Sequence, residues 1–108
     1  MKIIFGFFLM IAFSANAKAN DLSRINYLPS DGVVKNSEIA ISLAKITLIS
    51  VYGDSQIKKQ LPLNARLINH ETWLISGTFN EPPGSLGGVA EILIRKRDGA
   101  VLGMIHGK

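Results

Sequence analysis

The sequence predicts an α+β domain in which one long helix, plus a short helical turn, packs on an antiparallel sheet of about four strands. Three observations carry this. Apolar residues recur at helical spacing up to residue 52, the period falls to two after Pro62, and Asp98-Gly99 marks a tight reversal between the last two apolar runs. A helix followed by a meander buries its apolar side against one face of that sheet.

Taken in chain order, residues 1–19 read as a cleavable export signal. Lys2 gives a positive start, Ile3 to Phe13 carries no charge, and both Ala15-Asn16-Ala17 and Ala17-Lys18-Ala19 offer the small-x-small pattern of a cleavage site. Cleavage is expected after Ala17 or Ala19. The apolar run is well short of the roughly 20 residues that cross a bilayer core, so no membrane anchor is expected after removal. A lipid anchor at the cleavage site needs a cysteine, and the chain has none. The expected location is therefore periplasmic or secreted.

Residues 20–35 form a polar lead with a turn at Pro29-Ser30-Asp31-Gly32, expected to be partly ordered and to reach the domain near Gly32-Val33-Val34. The domain proper is expected over 36–108. Asn36 or Ser37 caps a helix from about Glu38 to Tyr52, and Gly53 takes the left-handed stop position. Ile39, Ala40, Leu43, Ala44, Ile46, Thr47 and Val51 are expected on the buried side, opposite Glu38, Ser42 and Lys45. Asp54 to Gln60 reads as a further turn, capped by Asp54 or Ser55 and ended by Pro62.

In the strands, Leu63, Ala65 and Leu67 alternate with Asn64 and Arg66, and a turn at Asn69-His70-Glu71 leads into Thr72 to Phe79. Trp73, Ile75, Gly77 and Phe79 share one face there. After the Pro- and Gly-rich loop from Asn80, Gly87-Gly88 opens a strand with Ala90, Ile92 and Ile94 inward and Glu91 and Arg95 outward. Asp98-Gly99 returns the chain through Val101 to Ile105.

Composition narrows the function. The formal charge of +4 falls to +2 when Lys2 and Lys18 leave with the signal, or to +3 if Lys18 stays, which is no basic stripe for nucleic acid. A mature chain of roughly 90 residues holds one core and, without cysteine, is stabilised by packing alone.

Over about Asp31 to the C-terminus, the chain resembles the bacterial immunity proteins assigned a nuclear transport factor 2-like (cystatin-like) fold, which occur beside polymorphic toxin genes. The resemblance rests on Ala40-Ile41 through Ala44 to Tyr52-Gly53, Gln60-Leu61-Pro62-Leu63, and Trp73 with Gly77. It continues through Gly87-Gly88-Val89, Ile92, Ile94, Asp98-Gly99 and the closing His106-Gly107-Lys108. It implies a non-catalytic partner that binds and neutralises a cognate toxin. Tyr52, Gly53, Pro62, Trp73, Gly77, Gly87, Gly88, Asp98 and Gly99 are then structural positions.

Read as residues, these positions agree. Trp73 is expected in the core, and Gly87-Gly88 precedes a strand rather than the helix start that a phosphate loop needs. No GxSxG serine and no HExxH pattern is present, so no catalytic residue, cofactor or metal is expected. One acid–base pair is open. A two-residue Asp98-Gly99 loop places Glu91 opposite His106, whereas a longer loop with a bulge places His106 beside Ala90.

Two classes of function follow. In the first, the domain binds a toxin acting in the cell envelope, with Lys58, Lys59, Arg66, Arg95 and Arg97 available to steer an acidic surface. In the second, it is a small exported ligand-binding or isomerase-like domain with a polar pocket near Glu91 and His106. An envelope inhibitor unrelated to toxins has the same sequence signature as the first.

Overall fold

The structure, a computed structural model, describes residues 21–107. The expected export signal, its cleavage points and the closing Lys108 lie outside the described residues.

Helix α1 spans Ser37–Tyr52. It starts where Asn36, in extended backbone, accepts the Ile39 N–H on its side-chain oxygen at 2.9 Å. It stops at Gly53, whose φ of 96° is cheap only without a β-carbon and whose N–H returns to the Ile49 carbonyl. Helix α2, Asp54–Lys58, follows directly. Its N-cap is Gly53 and no side chain caps it, so Asp54 and Ser55 do not play the capping role expected of them.

The buried stripe of α1 is Ala40, Ala44 and Leu48, with Ile41, Ile49 and Tyr52 packed beside it. This corrects the expected face. Ile46 and Val51 are 70% and 54% exposed, and Leu43 is also exposed. The helix is apolar on nearly every side, so periodicity alone does not select its inner face. What selects it is size: two alanines one turn apart let the helix axis approach the sheet closely, and Leu48 fills the space beyond them.

Four strands, β1 (Asn64–Ile68), β2 (Thr72–Ser76), β3 (Ala90–Arg95) and β4 (Val101–His106), form an antiparallel meander in the order β1-β2-β3-β4. Helix α1 lies across β1, β2 and β3. Its face of the sheet presents Leu63, Ala65, Leu67, Trp73, Ile75, Ala90, Ile92 and Ile94, as the alternation requires. Each large aliphatic side chain fully buried here contributes about 1.5–3 kcal/mol. Strand β2 is shorter than expected, and Phe79 leaves the core face to be 43% exposed. Strand β3 likewise begins two residues after Gly87-Gly88.

The turns decide the register. Asn69 and His70 both have positive φ, the twist that suits a tight β1–β2 hairpin, and Glu71 N–H donates to the Ile68 carbonyl. Between β3 and β4 the loop is longer than a two-residue turn. Arg95 N–H donates to the Ala100 carbonyl and Gly99 N–H to the Arg95 carbonyl, so Lys96, Arg97, Asp98 and Gly99 make the reversal. Gly99 has the expected positive φ, 78°. A bulge at Leu93/Ile94 then shifts the ladder, so that Ala90 faces His106 and Glu91 faces Ile105.

The lead docks on that reversal. Val33 and Val34 donate to the Arg97 and Lys96 carbonyls at 3.0 Å, and Val34 is fully buried. Trp73 closes the junction by donating its indole N–H to the Val34 carbonyl at 2.7 Å. Gly32 passes so close to Lys96 that a β-carbon would stand 2.6 Å from its carbonyl oxygen.

Candidate functional site

Two ends of the sheet gather polar chemistry. At the end near Tyr52, the turn after α2 delivers Gln60, which is 4% exposed. Its side-chain oxygen accepts the Ala90 N–H at 2.7 Å, which turns its amide nitrogen toward His106 Nε2, 2.9 Å away. Gln56 Nε2 approaches the same ring nitrogen at 3.2 Å. With donors on Nε2, the proton is assigned to Nδ1, which donates to the Gly107 carbonyl at 2.7 Å. Tyr52 tilts over the ring with centroids 5.2 Å apart.

Glycines make this packing possible. A β-carbon on Gly77 would lie 2.5 Å from the Gln60 side-chain oxygen, and one on Gly107 would lie 3.2 Å from the Gly88 α-carbon. Beside the cluster is a cleft of about 270 Å³ rimmed by Lys59, Phe79, Asn80 and Leu86. Tyr52, Gly77, Gly88 and His106, scattered in sequence, thus meet in one place. Nothing in the sequence marks Gln56, and Gln60 stands out there only as the end of the short helical turn and as part of a matching segment. A glutamine carries no chemical signature that separates a buried linker from a solvated side chain.

The same register settles the acid–base pair. Glu91 and His106 stand on opposite faces of the sheet, Glu91 beside Ser76, whose hydroxyl donates to its carboxylate at 3.3 Å. A polar pocket shared by Glu91 and His106 is excluded by this arrangement. Both ring nitrogens of His106 have hydrogen-bond partners on neighbouring residues.

At the opposite end, the lead and the two hairpin turns enclose a cleft of about 630 Å³ lined by Leu28, His70, Arg95, Lys96, Arg97 and Leu102 among others. Lys96 Nζ donates to the Asp31 carbonyl. Arg95 pairs with Asp98 at 2.9 Å. The Asp98 carboxyl is held below its ordinary value of 3.8, chiefly by the Ala100 N–H it accepts; desolvation opposes this, and the Arg95 hydrogen bond with the Arg95 and Arg97 charges adds to the lowering.

The five basic residues expected to meet a partner fall into two groups. Arg66 and Arg95 are on the sheet face away from α1, with Arg97 at the adjoining turn. Lys58, which ends α2 and pairs with Asp54 at 3.5 Å, and Lys59, which follows it, are at the other end. Between Arg66 and Arg95, the outer face presents the half-buried Leu74 and Leu93. Among the described residues no three His, Cys, Asp or Glu side chains converge as a metal would require.

A family model described as NTF2 fold immunity protein matches residues 39–108, which takes in all but the first two residues of α1, then α2, all four strands and the glutamine–histidine cluster. The chain belongs to the NTF2-fold immunity proteins. This immunity protein is also 34% identical over 76 residues to an uncharacterized protein, YhhH, of Escherichia coli strain K12. That match covers 70% of the chain and 58% of the relative, so the immunity protein spans under two thirds of the length of the curated protein it matches. No solved structure matches the chain. The helix-on-sheet architecture is the one its family name describes, and none of the described helices is long and apolar enough to cross a membrane.

Proposed function

We propose that this immunity protein is exported by its leader and binds and neutralises a cognate toxin that acts in the cell envelope. The observation that carries the reading is the family match over nearly the whole helix-and-sheet unit, joined to a leader with the charge, length and small-residue pattern of an export signal. Neutralisation by binding is supported by the occupied His106 ring and by the separation of Glu91 from it.

The surface offered to a toxin is the sheet face away from α1. Leu74 and Leu93 supply apolar area at its centre, and Arg66, Arg95 and Arg97 give it a basic margin that would steer an acidic partner into place. Lys58 and Lys59 extend the positive field at the other end.

Deleting the gene from a strain that keeps the neighbouring toxin gene tests this. Sibling cells should be poisoned under delivery conditions, and unharmed growth would overturn the immunity reading. A copy lacking residues 1–19 should fail to rescue; full rescue by that copy would place the toxin in the cytoplasm instead.

A further inference from the structure

Among the described residues the strand order leaves β4 with a neighbour on one side only. Its sequence, Val101-Leu102-Gly103-Met104-Ile105-His106, has no Asp, Glu, Lys, Arg or Pro. Val101, Leu102 and Ile105 are 44%, 45% and 62% exposed. The opposite edge is guarded: β1 follows Pro62, presents exposed Asn64 and Arg66, and has α1 lying across it. Proteins that leave an edge open ordinarily protect it with charge or proline, because free N–H and C=O groups template the addition of another strand.

The phase of the backbone is fixed as well. Gly107 N–H donates to the Val89 carbonyl at 3.1 Å. In an antiparallel ladder successive residues turn their peptide groups alternately to one neighbour and the other. Ile105 and Gly103 therefore face β3, and Met104 and His106 turn their N–H and C=O groups to the open edge.

We propose that this edge pairs with β4 of a second copy, antiparallel and centred on Met104, so that two sheets become one. Side chains stay on their own face in this register, and Met104 meets its counterpart through the outward peptide groups. Ile105 then stands opposite Gly103 in a non-hydrogen-bonded pair, the closer kind, with α-carbons about 4.5 Å apart. The fit is complementary: nothing lies within 4 Å of where a Gly103 β-carbon would be, so the exposed Ile105 side chain has open space beside it to occupy. A strand without charge can lie beside its own copy without repulsion, whereas it offers a charged partner no counter-charge. The pairing ends where Leu102 enters the bulge opposite Ile94. It uses the edge and leaves the outer face free, so it holds whether or not the toxin reading does.

Sedimentation velocity on the purified protein should give twice the chain mass. Ile105→Lys sets two ammonium groups near the two-fold axis, and Gly103→Val fills the space Ile105 needs; both should sediment with the mass of one chain. Trp73 emission reports that each variant is folded. Amide exchange at Met104 and His106 should be slow in the parent and accelerate about tenfold or more in either variant. Leu43→Lys, on the outer side of α1, should keep the dimer. A parent protein of single-chain mass, a dimer that survives both edge substitutions, or a dimer lost in Leu43→Lys overturns the proposal.

Discussion

Gln60 and His106, 46 residues apart in sequence, lie 2.9 Å apart nitrogen to nitrogen, and the other end of the same amide holds the Ala90 N–H at 2.7 Å. One side chain thus fixes both the start of β3 and the end of β4. Gln60→Ala leaves a buried N–H without a partner, which costs about 1–3 kcal/mol. In a domain of this size each kcal/mol lowers the melting temperature by about 4–8 °C. Urea denaturation should show the loss, and unchanged stability would mean that the bond contributes nothing net.

Gly77 is tied to the same glutamine. Gly77→Ala pushes a methyl group into the Gln60 side-chain oxygen and should destabilise the fold by about 1–3 kcal/mol. In a Gln60→Ala background the contact with the oxygen is gone, while the β-carbon of residue 60, which would lie 2.9 Å from the new methyl group, remains. A double-mutant cycle should therefore show Gly77→Ala costing less in that background than in the parent but not nothing, whereas strict additivity would show that the Gln60 side-chain oxygen is not what the methyl group meets.

On α1, two aliphatic residues one half-turn apart should differ sharply. Leu48→Ala removes a fully buried side chain and should cost about 2–5 kcal/mol. Ile46→Lys alters a side chain that is 70% exposed and should change stability by about 0.5 kcal/mol or less. Equal losses in chemical denaturation would mean the helix is rotated from the orientation described.

The Trp73 indole bond anchors the lead. Trp73→Phe keeps an aromatic ring in the core but leaves the Val34 carbonyl without that donor, at a cost of about 1–3 kcal/mol. Amide exchange at Val33 and Val34, which donate to the Arg97 and Lys96 carbonyls, should quicken more than exchange in β2. Uniform quickening would indicate global loss rather than release of the lead.

The Asp98 carboxyl gives a pH signature. Its folded value lies below 3.8, so its charged form stabilises the hairpin above that value and the contribution is lost as pH falls through the folded value. Carbon-detected titration of the side chain should give a midpoint below 3.8. Asp98→Asn should separate from the parent at neutral pH and converge with it in strong acid. A gap that persists in acid would assign the effect to packing.

Legibility followed the physical signal. Strand alternation placed Trp73, Ile75, Ala90, Ile92 and Ile94 inward because a period of two admits only two faces, one of them polar. The helix defeated the same reasoning, since Leu43, Ile46 and Leu48 are equally apolar and the choice among them is made by the shape of the sheet. At the β3–β4 turn, Asp98-Gly99 announced a reversal without its length, and one extra bulge residue moved Glu91 to the other face from His106. The basic residues were legible as charges, but their division between two ends of the sheet depends on the fold alone. Gln56 and Gln60 give the weakest signals of the polar cluster, for their roles depend on neighbours distant in sequence.

Val34 is the first residue of the core along the chain, yet its seat is made by Lys96 and Arg97. A nascent chain that has not yet released those two residues has nowhere to put Val34 and no carbonyl for its amide. Contacts of such long sequence separation delay closure. The tertiary lock of the lead is thus deferred until Lys96 and Arg97 have been released, a delay that would suit the proposed export, in which the chain threads a narrow channel before it folds.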